Sequence, residues 1–330
     1  MPEVAQENSD AKQWVSFVPD LKVMDCTIRD GGLMNNHKFE DDVVKSVYQA
    51  CIDAGIDYME IGYKNAKRIF STDEFGAWRH CSEDDLKRVV GENDSDVKLS
   101  AMADAEKSDF RDDIVPCDQS PLDMIRVASY IHQVPLALEM IKDAHDKGYE
   151  TTINLMAISA VREREVDEAL EALSTSEVET LYVVDSFGSL YREQVHFLLD
   201  KFLESAKASG KKVGVHAHNN QQLAYANTIE GAIKGATMLD ASMAGLGRGA
   251  GNCPMELLVG FLHNPKFKLR PIIKCIQEFI EPLRENLQWG PDMGYMITGL
   301  LNQHPRNAIE FNEDGDGDVV GFFDRMTGEG

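Results

Sequence analysis

The segment Lys212-Val213-Gly214-Val215-His216-Ala217-His218 is an apolar run of strand length that ends in two histidines. Alternate side chains of a β-strand face the same way, so both imidazoles can reach one metal ion. Far earlier in the chain, the segment Asp25-Cys26-Thr27-Ile28-Arg29-Asp30-Gly31-Gly32 also follows an apolar run and supplies a carboxylate and a guanidinium. A fold that gathers these two strand ends would build one site from them.

Apolar runs of strand length alternate along the chain with stretches of helical period. The predicted strands are 22–27, 57–62, 97–103, 124–129, 150–156, 180–185, 212–218 and 238–243, and the helical patterns include 41–54, 135–147, 163–173, 191–209 and 221–234. This alternation predicts an α/β fold, either a (β/α)8 TIM barrel or a doubly wound open sheet. The barrel is favoured because it brings the C-terminal ends of all its strands to one face.

Composition limits the class of protein to which this chain can belong. The 330 residues are 43% hydrophobic and 27% charged, which predicts a globular chain with a large core. The net charge of -23 is spread along the chain and argues against a nucleic-acid or anionic-membrane partner. The first twenty residues contain no signal-peptide pattern and no run approaches a membrane span, so we expect a cytoplasmic protein. We expect a lead-in at 1–20, the barrel at 21–254, and a C-terminal helical extension with an acidic tail at 255–330.

Polar side chains lie at several predicted strand ends. Glu60 lies on the second strand, Asp185 and Ser186 end the sixth, and a glycine-rich loop from Gly245 to Asn252 follows the eighth. The alternating glycines let the loop backbone approach a ligand closely. The loop is not a dinucleotide fingerprint, because Ala250 occupies the place of its third glycine.

Taken together, these residues resemble the DRE-TIM metallolyases, which include isopropylmalate and homocitrate synthases, hydroxymethylglutaryl-CoA lyase and 4-hydroxy-2-oxovalerate aldolase. The resemblance covers about residues 20 to 260 and is nearest to the hydroxy-oxovalerate aldolases. It rests on the segments 25–32, 126–128, 185–186, 215–218, 239–242 and 245–254.

The resemblance implies a divalent metal held by Asp30, His216 and His218, with Asn252 as a nearby or fourth ligand. Oxygen and imidazole ligands without a thiolate suit manganese first, then magnesium, and also accept cobalt or zinc. The substrate implied is a small 2-oxo acid that chelates the ion, which stabilises the pyruvate enolate as a Lewis acid.

Catalytic roles follow from the same resemblance. Arg29 would bind the substrate oxygen on which negative charge develops, and Glu60 would orient Arg29. Ser186 would hold the substrate carboxylate. The residues alone also allow purely structural roles: Arg29 and Glu60 could form a buried ion pair, and Asp185 and Ser186 could cap a helix.

The general base is where this chain departs from the aldolases. Leu33 occupies the position of a histidine that closely follows their Arg-Asp-Gly motif, and leucine cannot transfer a proton. His37 matches a second histidine of those relatives and is our candidate for acid–base work, or else it caps the helix that begins near Asp41. Tyr295 is a second candidate, a phenol that would reach the site from the extension.

Three functions therefore stay open: a metal-dependent aldolase, an acyl-CoA-dependent Claisen-type acyltransferase or lyase, and a metal-binding barrel without catalysis. The short C-terminal extension argues against the synthases with their regulatory domain. A homodimer is implied by the family. Related aldolases bind an aldehyde dehydrogenase through their C-terminal helices, but this extension departs from theirs, so we do not carry that partner over.

Overall fold

The computed structural model describes residue 18, residues 20–315 and residues 317–328. Almost all of the predicted lead-in, residue 316 of the acidic tail and the last two residues lie outside the described part. Eight parallel strands form a closed barrel in the order in which they occur in the chain. This confirms the TIM barrel predicted from the alternating pattern.

Each strand is followed by at least one helix. The strands are β1 Lys22–Asp25, β2 Tyr58–Tyr63, β3 Lys98–Asp104, β4 Met124–Ser129, β5 Glu150–Leu155, β6 Thr180–Asp185, β7 Lys212–Ala217 and β8 Met238–Ala241. The α-helices are α1 Thr27–Gly31, α2 Asp41–Ala54, α3 Glu83–Val90, α4 Phe110–Asp113, α5 Val134–Asp146, α6 Glu163–Ser174, α7 Arg192–Ser209, α8 Ala224–Lys234, α9 Met255–Leu262, α10 Leu269–Cys275, α11 Met293–Leu300, α12 Arg306–Asp314 and α13 Val319–Thr327.

The end of β1 differs from the prediction. The strand stops at Asp25, and Arg29 and Asp30 lie on the short helix α1 rather than on the strand. The Asp25 carboxylate accepts hydrogen bonds from the Thr27 backbone N–H at 3.0 Å and from the Thr27 hydroxyl at 2.7 Å. Such a bond from an aspartate to the backbone two residues on turns the chain out of a strand. The turn carries Arg29 and Asp30 over the barrel end.

A charged layer lies at the centre of the barrel, with one side chain from each even-numbered strand: Glu60, Arg126, Tyr182 and Asp240. Arg126 is fully buried and donates to Glu60 Oε2 at 3.0 Å and to Asp240 Oδ2 at 2.6 Å. Its guanidinium carbon lies 4.3 Å from the centroid of the Tyr182 ring. A Cβ atom on Gly214 would lie 2.6 Å from that ring, so β7 needs glycine there. TIM barrels are filled by layers of four side chains from alternate strands, and this layer is polar where branched apolar residues dominate in most barrels.

The C-terminal extension packs on the barrel end that carries the glycine-rich loop. Phe311 of α12 and Phe322 of α13 stack with their ring centroids 4.6 Å apart, and both belong to one apolar cluster with Tyr295 and Ala250. The acidic tail expected at the C-terminus thus contains two helices, held by their apolar faces. Because Ala250 belongs to the loop after β8, the extension covers that loop.

Within the described part of the chain, no helix is both long enough and apolar enough to cross a bilayer. The longest, α7, has 18 residues and carries charged side chains along its length.

Candidate active site

Three predicted metal ligands meet at the C-terminal end of the barrel. Asp30 Oδ2 lies 3.1 Å from His216 Nε2 and 3.7 Å from His218 Nε2. Ligand atoms of the three residues all lie within 4.8 Å of one another, and all three side chains are buried. Bonds of about 2.0–2.2 Å to one ion bring its ligand atoms to about 3–4 Å from each other, so these separations suit a shared ion.

The second ring nitrogen of His216 has its own partner. His216 Nδ1 lies 2.9 Å from Asp240 Oδ2, and that carboxylate also accepts from Arg126. A carboxylate behind a histidine fixes the orientation of the ring and leaves the outer nitrogen for a metal. The geometry of His216 is therefore that of a metal-binding histidine supported from within the barrel.

The electrostatics of Asp30 and His218 fit a cation site, whereas the raised pKa of His216 favours a proton that a metal ion would have to displace. Burial alone would raise the pKa of Asp30, but Arg29 and the two histidines hold it well below its usual range. Burial lowers the pKa of His216, but Asp240 and Asp30 raise it above the usual value. Burial, Arg248 and His216 hold the pKa of His218 well below the usual range despite Asp30. Asp30 is therefore ionised and His218 neutral at pH 7, the forms that bind metals.

Arg29 is held at two of its three guanidinium nitrogens. Nε donates to Glu60 Oε2 at 2.6 Å and Nη1 donates to Asp30 Oδ2 at 3.0 Å. Nη2 is buried and has no partner among the described residues. The same Glu60 oxygen accepts from Arg126. A closed ring of contacts therefore joins six buried residues, in the order Arg29, Glu60, Arg126, Asp240, His216 and Asp30.

A small cavity opens beside this ring. Its volume is about 70 Å³. The lining includes Arg29, Leu33, Ser186, His216 and His218, together with the unpredicted Arg248 and His304.

Two predicted residues at the edge of the site are placed by hydrogen bonds. Ser186 lines the cavity, and its hydroxyl accepts from the Ala157 backbone N–H at 2.8 Å. Asn252 pairs with His218 through an isolated antiparallel bridge, and both atoms of its buried amide have no partner among the described residues. A Cβ atom on Gly247 would lie 2.4 Å from the amide nitrogen of Asn252, so only glycine at this position leaves space for that amide.

The two acid–base candidates lie outside the cavity lining. His37 is 1% exposed, and its ring packs edge-on against Tyr63 with the centroids 5.2 Å apart. Burial and the Arg79 charge hold the pKa of His37 well below its usual range. Tyr295 packs in the apolar cluster of the extension, beside Gly249. Leu33, at the position of the missing histidine, does line the cavity.

Sequence reasoning assigned no role to Arg126, Asp240, Arg248 or His304. Arg126 and Asp240 each interrupt an apolar strand with a charge, and charged residues are almost never buried unless paired. That signal could have found the central layer. Arg248 is the charged residue of the glycine-rich loop, which is a weaker signal. The sequence gives no signal for His304, because only the packing of the extension brings this residue to the cavity.

Comparisons with known proteins identify the family to which the chain belongs. The sequence model of the HMGL-like family matches residues 20–275. An oxaloacetate decarboxylase of Mycobacterium tuberculosis is 32% identical over 245 residues, which cover 73% of this chain and 69% of the relative. A 4-hydroxy-2-oxovalerate aldolase of Rhodococcus opacus is 27% identical over 241 residues, which cover 73% of this chain and 70% of the relative.

Solved structures show the same barrel. The N-terminal domain of an aldolase-like protein from Bacteroides vulgatus superposes with a TM-score of 0.74 at 28% identity, over 88% of this chain and 96% of that one. The HMG-CoA lyase of Bacillus subtilis superposes with a TM-score of 0.68 over 82% of this chain and 96% of that one, and at 18% identity it shares the fold alone. The chain therefore belongs to the HMGL-like family of DRE-TIM metallolyases and is a metal-dependent lyase.

Proposed function

We propose that this lyase cleaves or forms a carbon–carbon bond beside the 2-oxo group of a pyruvate-type acid, in the manner of a 4-hydroxy-2-oxovalerate aldolase. One observation carries the proposal: two histidines of the ligand cluster line the same small cavity as Arg29, whose Nη2 has no partner among the described residues. A 2-oxo acid needs both a cation and a hydrogen-bond donor at its keto oxygen when that oxygen becomes an enolate.

The donor set fits a divalent cation. Asp30, His216 and His218 offer one carboxylate and two imidazoles, and the amide oxygen of Asn252 is free to be a further ligand. This set favours manganese, with magnesium, cobalt and zinc as alternatives. When bound, the ion supplies a Lewis acid that polarises the keto oxygen of the substrate.

The chain's own residues act around that oxygen. Arg29 donates from Nη2 to the oxygen on which charge develops, and Glu60 positions the guanidinium before the reaction begins. A donor fixed in advance stabilises the transition state without reorganising. Ser186 binds the carboxylate next to the keto group. In cleavage, a proton leaves the hydroxyl on carbon 4, the bond between carbons 3 and 4 breaks, and carbon 4 becomes an aldehyde. The electron pair passes to the enolate, which takes a proton at carbon 3. His37 is our candidate to take the first proton, although its ring lies outside the cavity lining and packs against Tyr63.

Exchange of the methyl protons of pyruvate in D2O tests the enolate step without the second product. We expect Mn2+-dependent exchange by NMR, reduced at least about 100-fold in Arg29→Ala. Arg164→Ala, which removes an exposed arginine on α6, is the matched control and should exchange as the parent does. Thiol release from an acyl-CoA without any exchange would instead support the Claisen-type alternative. Metal binding without either reaction would support a non-catalytic barrel.

A second candidate is decarboxylation of oxaloacetate, the reaction named for the relative from Mycobacterium tuberculosis. Leu33 favours it, because loss of carbon dioxide yields the same enolate without a base to deprotonate a hydroxyl. Comparing initial rates on oxaloacetate and on 4-hydroxy-2-oxovalerate, with the same Mn2+-loaded protein, separates the two. Cleavage of the hydroxy acid alone would reject the decarboxylase.

A further inference from the structure

Among the residues that the structure describes, no carboxylate pairs with the guanidinium of Arg248. It lies on the glycine-rich loop, lines the cavity and donates from Nη2 to the backbone carbonyl of Ser186 at 2.7 Å. Its Nε is buried without a partner, and within the described residues no carboxylate forms an ion pair with it. The other two arginines of the site, Arg29 and Arg126, each have two carboxylate partners. A half-buried guanidinium without a counter-charge is costly unless a ligand supplies one.

His304 stands at the same cavity as a neutral donor. It lies between α11 and α12, and its ring packs edge-on against Phe187 with the centroids 5.7 Å apart. His304 Nδ1 accepts the backbone N–H of Arg306 at 3.1 Å, so the neutral ring carries its proton on Nε2. Burial, with Arg248, Arg306 and Lys107 nearby, lowers the pKa of His304 to about 4. At pH 7 the ring therefore offers one N–H donor and no charge.

The carboxylate among the cavity-lining residues does not compensate Arg248. Asp104 accepts from the Asn65 amide at 2.9 Å and lies 4.0 Å from the Arg79 guanidinium. Asp104 ends β3, and its carboxylate is already paired with residues that follow β2. The positive charge of Arg248 is left for whatever enters the cavity.

We propose that Arg248 and His304 bind a second anionic group of the substrate, so that the substrate is a 2-oxo acid with a distal carboxylate. The inference rests on the proposed function, in which Arg29 and the histidine pair take the 2-oxo end of the molecule. Arg248 supplies the charge and a planar set of donors, which match a carboxylate. His304 supplies a single directed donor from the same cavity lining.

Binding of matched acids to the Mn2+-loaded protein, measured by calorimetry, tests this without turnover. One pair is 2-oxoglutarate with 2-oxovalerate, which differ in a terminal carboxylate against a methyl group. The other pair, malate with 2-hydroxybutyrate, is shorter by one carbon. We expect the dicarboxylate of at least one pair to bind about 10- to 100-fold more tightly, the range for hydrogen bonds to a charged group.

Variants test which residues cause the preference for the dicarboxylate. Arg248→Gln should reduce it to within about twofold while the affinity for 2-oxovalerate stays the same. Arg248→Lys keeps the charge and should retain part of the preference. This second variant keeps the test decisive if Arg248→Gln folds poorly. His304→Leu should weaken the preference, and His304→Gln, which keeps an N–H donor, should restore most of it. Arg164→Gln removes an exposed cation on α6, outside the cavity lining, and is the matched control.

Two results would overturn the inference and leave the proposed function standing: equal affinity within both pairs, or equal weakening of both members of a pair by Arg248→Gln. The second result would mean that Arg248 binds the carboxylate next to the keto group. If none of the acids binds, the inference and the proposed function fall together.

Discussion

Replacing Asp240 by asparagine tests whether the barrel core prepares His216 to bind a metal. Asp240 Oδ2 accepts from Arg126 Nη2 at 2.6 Å and lies 2.9 Å from His216 Nδ1. An amide keeps the shape of the side chain and one acceptor. It leaves Arg126 with Glu60 as its remaining carboxylate and removes the charge behind His216.

The structure sets the size of the expected effects. Burial alone would raise the pKa of Asp240, but Arg126 and His216 lower it from 3.8 to about 2. That shift corresponds to about 2 kcal/mol in favour of the ionised side chain. Removing one partner of a buried ion pair costs about 3–5 kcal/mol, and we expect the low end because the amide still accepts. Loss of the carboxylate behind a metal-binding histidine should weaken metal affinity roughly 10- to 100-fold.

Calorimetric titration with Mn2+ and urea unfolding of the metal-free protein measure the two effects. Asp57→Asn is the matched control, because Asp57 is also a buried, paired aspartate, but its charged partners are Lys22 and Lys266 instead of a histidine. The control should bind Mn2+ with the affinity of the parent. If Asp240→Asn also binds Mn2+ as tightly as the parent, Asp240 does not orient His216 for a metal and the reasoning is wrong.

Three further predictions follow from single contacts. Burial raises the pKa of Asp25 to about 7, so the folded chain keeps a proton that the unfolded chain loses near pH 4. The free energy of unfolding should therefore fall as the pH rises from about 4 to about 7, by up to about 4 kcal/mol, and urea unfolding of Asp25→Asn should lack this component. Arg29→Lys keeps the charge without the fork of donors, so pyruvate methyl exchange should fall about 100-fold while thermal unfolding shows a folded protein; parent-like exchange would contradict this. Gly214→Ala places a methyl against the Tyr182 ring and should cost about 1–3 kcal/mol in urea unfolding. Gly260→Ala on α9, where nothing lies within 4 Å, should cost nothing.

The sequence could predict the barrel and the ligand cluster for one physical reason. Parallel strands of a barrel all end at one face, so polar groups at the ends of distant strands meet there. His216 and Asp30 were found in this way, although Asp30 lies on α1 and not on the strand. The local hydrogen bonds between Asp25 and Thr27 decide that difference, and hydrophobic periodicity does not report such bonds.

The substrate end of the cavity could not be predicted in the same way. His304 reaches the site because α11 and α12 pack over the glycine-rich loop, which depends on apolar contacts far apart in the chain. Arg248 is visible in the sequence, but only the folded molecule shows that its guanidinium has no acidic partner within the described residues. Local patterns describe elements, whereas an unpaired charge is defined by everything that surrounds it.

Charge balance links the barrel core to the ligands of the site. In the closed ring, two arginines face three carboxylates, so the ring carries one excess negative charge unless something positive joins it. The raised pKa of His216 is one response, because a proton on that ring restores neutrality. A divalent cation in place of the proton would reverse the excess to one positive charge, and the carboxylate of a 2-oxo acid would then cancel it. Arg248 stands outside this balance with a further positive charge, and a second carboxylate on the substrate would satisfy it. The divalent ion and the dianionic 2-oxo acid that we propose would together balance these charges.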